Sequence, residues 1–433
     1  MSVDTDGELR QEAEELRKSG KFKESREKYS LLWEHSQRVL YGAGLLHCLR
    51  KLNDFDEALK LANELEPHCS ELSWCKNEVV WTFISGLLCK VGEDEPLQKT
   101  LDIAERIMAL GPEDKALELT VFEVLKHAKQ KGDWNVVNEW VIEISPENIS
   151  ADPLQFDNGR EGWSRQAQWY NYRVNSFIET GKYDDAIGIV ENIRPKFPKE
   201  RKFFIRLKAV ACHRVGRLDE ARQIYEDLCR NPHVDWWVLH DYAKLLKDAN
   251  EPTQALELMY EAASSNSKLE GMVKLFEEIG TIAEELNRST ESLSHLYLAK
   301  YIREKNGWKL SQNLSSQLQK VGQAVPNVTP PADLKQALAK CRNIWNQHSP
   351  KSAAPKNIAR RELKGKVAIG SPDRPFCFIR IDGSENYFCF KSELPAGAKD
   401  GDHVVFDIVP SYDKKKQKDS WKAVNVRSLS STT

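Results

Sequence analysis

A six-residue pattern recurs through the first three quarters of the chain and limits what that part can fold into. Each copy begins with Gly or Asn and usually continues with an aromatic or apolar residue and acidic residues, and all copies except the one at Gly132 end with Ala or Ser. Copies begin at Gly20, Asn53, Gly132, Gly181, Gly216, Asn250 and Asn287, those at Gly132 and Asn287 being weaker. Gly216 follows Gly181 by 35 residues and precedes Asn250 by 34. Such a period predicts stacked copies of one supersecondary unit.

The residue types indicate a helical hairpin. Gly or Asn suits the left-handed turn that ends one helix, acidic residues suit the N-terminus of the next helix, and a small residue lets the two helices approach closely. The pattern and its period resemble the tetratricopeptide repeat family. In that family another small residue stands twelve positions before the final Ala. Ala209 and Ala243 match this preference, whereas Leu46 and Val174 depart from it.

The resemblance implies about seven or eight helical hairpins that form an all-α superhelix. Residues 7–323 would form this array, with an irregular repeat near Gly92, an insertion over 145–162 and a capping helix over 308–321. Trp163, beside the insertion, is either a packing residue or an exposed anchor for a partner. Arrays of this family hold a peptide or helix of another protein in a concave groove, so a protein or peptide partner is expected.

Residues 324–361 are expected to be a linker that contains a short helix. The three prolines between 324 and 331 exclude a helix in that stretch. Apolar residues at helical spacing predict a helix over 333–348. Residues 349–361 are rich in Pro, Ser, Ala and basic residues, which is typical of a flexible connection.

The hydrophobic period changes from 3.6 to 2 from Leu363 onward, which is typical of strands. Five short runs are predicted strands, over 365–369, 376–381, 387–391, 403–409 and 422–426. Five strands within residues 362–429 favour a small all-β, five-stranded Greek-key barrel of the oligonucleotide-binding type.

Two of these runs carry four phenylalanines at alternating positions, Phe376, Phe378, Phe388 and Phe390. Residues two apart in a strand share a face, so the four rings can line one side of a hairpin. Four aromatic rings on one face need a partner. That partner is either a hydrophobic core or a set of stacked bases.

The order of motifs in this domain resembles the cold-shock domain family. The matching segments are Lys364–Val367, Phe376–Ile379, Phe388–Phe390, Gly401–Phe406 and Ala423–Val426. In that family the two aromatic motifs stack on single-stranded bases. The resemblance therefore implies stacking by Phe376, Phe378 and Phe388. Phe390 stands where the family usually has a stacking His.

The domain departs from the family on its first strand and in both aromatic motifs. Residues 368–370 read Ala-Ile-Gly where the family has Lys-Trp-Phe. Pro375 and Cys377 replace the two glycines of the first motif, and Lys391 replaces the last Phe of the second. A stacked base contributes about 1–3 kcal/mol, so we expect weak binding with low sequence preference.

Basic residues surround the rings and could pair with phosphates. The predicted nucleic-acid-binding residues are Phe376, Phe378, Phe388, Phe390, Lys391, Arg374, Arg380, Lys366, Lys414, Lys415 and Lys416. Lys414, Lys415 and Lys416 belong to one loop, which has an alternative interpretation as a solvated tip without a ligand. The aromatic residues also have an alternative interpretation, in which they form a dry interface that could involve the repeats.

Charge and cysteine usage limit the partners, the cellular location and the kinds of site that can be expected. Residues 351–433 contain 16 Lys and Arg against 10 Asp and Glu, a net charge of +6, which leaves −8 on residues 1–350. The two parts are therefore expected to meet different partners. Nine scattered cysteines without a C-x-x-C motif predict reduced thiols, a cytoplasmic location and no metal site. No apolar run reaches about 18 residues, so no membrane partner is expected.

Motifs for phosphate loops, nucleophilic serines and zinc hydrolases do not occur in the sequence, and no catalytic residue or cofactor is predicted. We expect a non-enzymatic adaptor that binds single-stranded RNA or DNA through the barrel and a protein through the repeats. The alternative is a pure protein scaffold whose barrel is an interaction module. A catalytic role in the groove would need a cluster of polar residues that the sequence does not display.

Overall fold

The computed structural model describes residues 3–230, 234–265, 268–348, 360–370, 374, 376–381, 386–395, 397–413 and 418–429. The chain divides into two compact units, Met1–Ile224 and Tyr225–Thr433. The first unit consists of helices apart from one short pair of strands. The second unit contains further helices and a small β-barrel.

The helices follow one another in pairs. In the first unit they are α1 (Val3–Lys18), α2 (Phe22–Ser36), α3 (Val39–Lys51), α4 (Phe55–Leu65), α5 (Ser73–Gly86), α6 (Leu97–Ala109), α7 (Asp114–Lys131), α8 (Trp134–Trp140), α9 (Arg165–Glu179), α10 (Tyr183–Ile193) and α11 (Arg201–Arg214). Helix α12 (Leu218–Cys229) contains the boundary between the units. The second unit continues with α13 (Trp236–Asp248), α14 (Pro252–Ser265), α15 (Val273–Glu285), α16 (Ser289–Lys305), α17 (Gln312–Ala324) and α18 (Leu334–His348). None of the helices in the described ranges is long and apolar enough to cross a bilayer.

Seven helix pairs are joined by the left-handed turn that the sequence pattern predicts. The first residues of all seven copies have φ angles between 59° and 86°: Gly20, Asn53, Gly132, Gly181, Gly216, Asn250 and Asn287. In each turn the next N–H donates to the carbonyl five residues earlier, at 2.7–3.0 Å. This bond ends one helix and fixes the start of the next. Gly307 forms the same turn between α16 and α17, which the sequence pattern did not predict.

The small residues of the pattern lie where paired helices approach most closely. Each is completely buried: Ser25, Ala58, Ala186, Ala221, Ala255 and Ser292. The two serines also bond across the pair. Ser25 Oγ donates to the carbonyl of Ala13 at 2.8 Å, and Ser292 Oγ donates to that of Gly280 at 2.6 Å. Both acceptors stand twelve positions earlier, where the repeat pattern calls for a small residue. The tetratricopeptide-like hairpin is therefore confirmed by its packing.

Two parts of the first unit depart from the regular repeat. Helices α5 and α6 are connected through a 3₁₀ helix, Leu88–Lys90, instead of a left-handed turn. The insertion contains a two-residue antiparallel pair, β1 (Leu154–Gln155) and β2 (Glu161–Gly162). Beside it, the Trp163 ring centre lies 5.0 Å from that of Phe203 and 5.8 Å from that of Phe204. Trp163 is thus a packing residue, and its alternative as a free anchor is not supported.

The capping helix begins later than the leucine spacing predicts. Helix α17 starts at Gln312 because the Ser311 hydroxyl caps it, accepting a hydrogen bond from the backbone N–H of Leu314. Leu314 and Val321 are buried. Trp308, expected to be the first residue of this helix, precedes it and is 44 % exposed.

Helix α18 lies within the segment expected to be a linker, and it packs on α14 and α16. The Trp345 ring stacks on Phe276, with 5.9 Å between ring centres. Its Nε1–H donates to His295 Nε2 at 2.8 Å. Helix α18 is therefore one of the packed helices of the second unit.

The barrel contains five strands, β3 (Arg360–Ala368), β4 (Phe376–Arg380), β5 (Asn386–Phe390), β6 (His403–Asp413) and β7 (Lys418–Ser428). It closes in the order β3-β4-β5-β7-β6. All pairs are antiparallel except β5 with β7, which is parallel. Strands β6 and β7 are longer than predicted because their pairing continues to Asp413 and Lys418.

Candidate nucleic-acid interface

Side chains of β4 and β5 alternate between the barrel interior and its outer surface. Cys377, Ile379, Tyr387 and Cys389 are buried and belong to the barrel core, together with Val367, Val404, Phe406, Ile408 and Ala423. The alternate residues of β4 and β5 point outward, and they include all four phenylalanines. We call the outer surface formed by Phe376, Phe378, Phe388 and Phe390 the aromatic face. Since these rings do not fill the barrel core, one of the two partners considered for them is excluded.

The strand register arranges the four rings in two rows. Phe376 lies opposite Phe390, and Phe378 lies opposite Phe388. The Phe388 ring stands edge-on to Phe390, with centres 5.0 Å apart, and edge-on to Phe378, with centres 6.2 Å apart. Phe378 is 38 % exposed and Phe390 is 40 % exposed, whereas Phe376 and Phe388 are half-buried. Phe378 and Phe390 therefore offer the open ring surfaces, and Phe388 holds both in place.

A glycine brings β3 close to β4 beside the aromatic face. A Cβ on Gly365 would lie 2.7 Å from the carbonyl oxygen of Arg380 and 2.8 Å from a methyl carbon of Ile379. Only glycine permits this approach. It places Lys366 directly opposite Arg380, and both side chains are exposed.

Two of the other predicted cations, Arg374 and Lys391, lie next to the rings in the described part of the barrel. The Arg374 guanidinium lies 5.8 Å from the centre of the Phe376 ring. Lys391 is half-buried and begins a 3₁₀ helix, Lys391–Glu393, immediately after Phe390. Lys414, Lys415 and Lys416 stand between β6 and β7 in the sequence and lie outside the described residues.

Lys422 is a cation at this surface that the sequence did not indicate. It lies on β7 opposite Phe388 across the parallel pair, and the next residue, Ala423, is buried in the core. Its Nζ is 4.8 Å from the centre of the Phe390 ring and 2.7 Å from Glu393 Oε1. Alternation along β7 could have assigned its outward direction. Its position beside β5 depends on a parallel pairing that hairpin patterns do not reveal.

Two cysteines face each other in the core directly behind the rings. Cys377 and Cys389 are cross-strand partners and are both buried. Burial raises the pKa of the Cys377 thiol, and it raises that of Cys389 to about 12. Both thiols are therefore protonated at neutral pH, so neither cysteine places a charge behind the aromatic face.

Glu78 is a buried carboxylate in the helical part whose hydrogen bonds are satisfied. Glu78 on α5 accepts hydrogen bonds from Arg50, His47 and Trp74 at 2.7–3.2 Å. Its burial would raise the carboxyl pKa, but bonds from His47 and Arg50 hold that pKa below its usual range. Within the described ranges, no group of three or more His, Cys, Asp or Glu residues could hold a metal ion.

One family matches part of the chain. The family described as "Domain of unknown function (DUF7017)" matches residues 203–339, which run from α11 into α18 and include none of the barrel. This is less than half of the chain. No curated protein matches the sequence.

Several solved structures are similar to the helical part. A tetratricopeptide repeat protein from Parabacteroides merdae is 12 % identical with a TM-score of 0.30, covering 63 % of this chain and 97 % of that one. A Rap protein complexed with competence and sporulation factor is 8 % identical with a TM-score of 0.39, covering 72 % and 87 %. The TPR2AB domain of yeast Sti1 in its complex with pHSP90 is 14 % identical with a TM-score of 0.28, covering 74 % of this chain and 100 % of that one. At these values the similarities carry no argument about partners.

Proposed function

We propose that the barrel binds single-stranded nucleic acid on the aromatic face. The observation that carries this proposal is the outward direction of four phenylalanine rings on the second and third barrel strands, bordered by Lys366, Arg380 and Lys422. In barrels of the oligonucleotide-binding type, this surface receives the strand. Exposed rings stack on bases, and nearby cations pair with phosphates.

The strand order and the motif order both support a cold-shock-like barrel. The absence of an aromatic residue on the first strand matters for affinity. Ala368 lies opposite Phe378 in the β3–β4 register, so this row has no ring on β3. Two open rings, Phe378 and Phe390, offer room for about two stacked bases, which contribute about 1–3 kcal/mol each. We therefore expect weak binding that depends strongly on salt.

The helical hairpins supply the second half of the proposed adaptor. Helical repeats of this kind expose extended surfaces that hold partner peptides. The segment after α18 would tether the barrel to them and raise the effective concentration of nucleic acid near the bound protein. All nine cysteines are free and seven are buried, which supports a reducing, cytoplasmic setting.

Fluorescence anisotropy with the full chain tests the nucleic-acid half of the proposal. Labelled single-stranded RNA and DNA of one sequence are titrated at several salt concentrations. We expect Phe378→Ala and Phe390→Ala each to weaken binding by about 1–3 kcal/mol, roughly 5-fold to 150-fold. Phe156→Ala is the matched control, because Phe156 is 52 % exposed in the first unit and far along the chain from the barrel.

Two results would contradict this half of the proposal. One is an absence of salt-dependent binding to either oligonucleotide. The other is unchanged affinity in both barrel variants. Either result would favour the scaffold alternative, in which the exposed aromatic face docks a protein. A difference between the RNA and DNA affinities would show whether the 2′-hydroxyl is read.

A further inference from the structure

Lys422 already occupies part of the surface that a base would use. Its ammonium lies over the Phe390 ring, 4.8 Å from the ring centre. A base stacked on the same side of Phe390 needs that space, so it must displace the ammonium. The side chain is 25 % exposed and flexible enough to move. A displaced ammonium would remain beside the bound strand, where phosphates attract it.

Glu393 holds Lys422 in this position. Glu393 Oε1 accepts a hydrogen bond from Lys422 Nζ at 2.7 Å. The other oxygen, Oε2, is buried and has no hydrogen-bond partner within the described residues. Lys422 is therefore the group that balances this half-buried carboxylate, and its departure leaves the charge of Glu393 poorly compensated.

We propose that Glu393 and Lys422 form a gate on the aromatic face, in which the Lys422 ammonium exchanges the Glu393 carboxylate for a phosphate of the incoming strand. This inference rests on the proposed nucleic-acid function and adds its regulation. Glu393 opposes binding in two ways, because it retains Lys422 and because its charge repels phosphates. The ligand class is a single strand with a charged backbone.

The gate predicts opposite effects at its two residues. Glu393→Gln removes the competing charge while keeping the shape of the side chain, so binding to a single-stranded oligonucleotide should tighten, by roughly threefold to tenfold. Lys422→Met removes one phosphate contact. It should weaken binding and lower the slope of log affinity against log salt by about 0.7. Lys422→Arg keeps the charge and should keep most of the slope.

A second ion pair on the same barrel provides the control. Arg427 on β7 and Glu362 on β3 lie 3.9 Å apart and are both largely exposed. Arg427 pairs with Val405 of β6, five residues along the strand from Lys422. Arg427→Met and Glu362→Gln repeat the same charge changes at the second ion pair. They should therefore change the affinity and the salt slope less than Lys422→Met and Glu393→Gln do.

Anisotropy titrations of the full chain and these variants with a single-stranded oligonucleotide test the gate. Thermal unfolding of each variant shows whether the barrel is intact. The gate is wrong if Glu393→Gln leaves the affinity unchanged or weakens it, or if Lys422→Met keeps the full salt slope, while the unmodified chain still binds. The absence of salt-dependent binding by the unmodified chain is a different result, because it removes the proposed function itself.

Discussion

His295 on α16 is completely buried and stays neutral. Its Nδ1–H donates to the carbonyl of Glu291 at 2.7 Å, and its Nε2 accepts the hydrogen bond from Trp345. The Tyr260 ring stacks on it, and the hydroxyl of Tyr260 donates to the Glu291 carboxylate. Burial lowers the pKa of His295 to about 4. A proton on Nε2 would face the N–H of Trp345, so the hydrogen bond would be lost.

This buried imidazole predicts acid sensitivity with a defined sign. An unfolded histidine takes up a proton below about pH 6.5, whereas folded His295 resists it until about pH 4. The unfolded state therefore binds more protons in that window, and stability falls as pH falls from about 6.5 to 4, by about 3 kcal/mol in total. Urea unfolding of the second unit at several pH values measures this effect.

The variant His295→Gln should flatten that part of the pH dependence. His68→Gln is the control, because His68 is half exposed in an unrelated contact with Glu71. If the pH dependence of stability is the same in His295→Gln as in the unmodified chain, His295 is not its source.

At the scale of helices, turn residues decide where one helix ends and the next begins. Gly181 has a φ of 81° and a Cβ there would meet nothing within 4 Å. Any cost of adding a side chain at this position is therefore backbone strain and not a clash. Gly188, seven residues later, lies exposed inside α10, where no positive φ is needed and a Cβ again meets nothing.

Alanine substitution at these two glycines should change stability in opposite directions. Gly181→Ala forces a Cβ into a left-handed conformation and should destabilise the first unit by about 1–2 kcal/mol. Gly188→Ala improves helix propensity and should stabilise it by about 0.5–1 kcal/mol. Urea unfolding followed by helical circular dichroism measures both changes in the free energy of unfolding. If the two changes have the same sign, the assignment of Gly181 to a left-handed turn is contradicted.

At the scale of the whole chain, the position of α18 sets where the helical part ends. Trp345 is buried against Phe276 and bonded to His295. A chain cut before α18 would expose those two groups to water and leave His295 Nε2 without its donor. A chain cut after His348 would keep every one of these contacts.

Truncation therefore tests this boundary. A chain of residues 1–348 should unfold with the same stability as the helices of the full chain, and it should not bind single-stranded nucleic acid. A chain of residues 1–325 should lose about 3–5 kcal/mol from its second unit, the usual cost of removing a buried Trp. Thermal unfolding and anisotropy measure the two effects. Equal stability of the two truncated chains would show that α18 is a linker helix after all.

Local patterns predicted much of this fold. The seven left-handed turns follow from Gly and Asn, because a positive φ is a property of single residues and their neighbours. The completely buried Ala and Ser positions follow from the same six-residue pattern. The placement of the four phenylalanines on one face follows from alternation in a strand, which is again local, whereas the outward direction of that face is seen only in the folded barrel.

Contacts between distant segments decided the rest. The sequence showed that residues 334–348 form a helix, but only tertiary packing placed Trp345 on Phe276 and His295. Likewise, four rings on one face were predictable, while the distinction between the open rings of Phe378 and Phe390 and the supporting ring of Phe388 required the strand register. Lys422 joins this surface through a parallel pairing of β5 with β7. The sequence by itself determined which residues turn, bury or alternate, because those choices depend on near neighbours. The tertiary structure decided which of them meet, because such contacts depend on how segments far apart in the chain pack together.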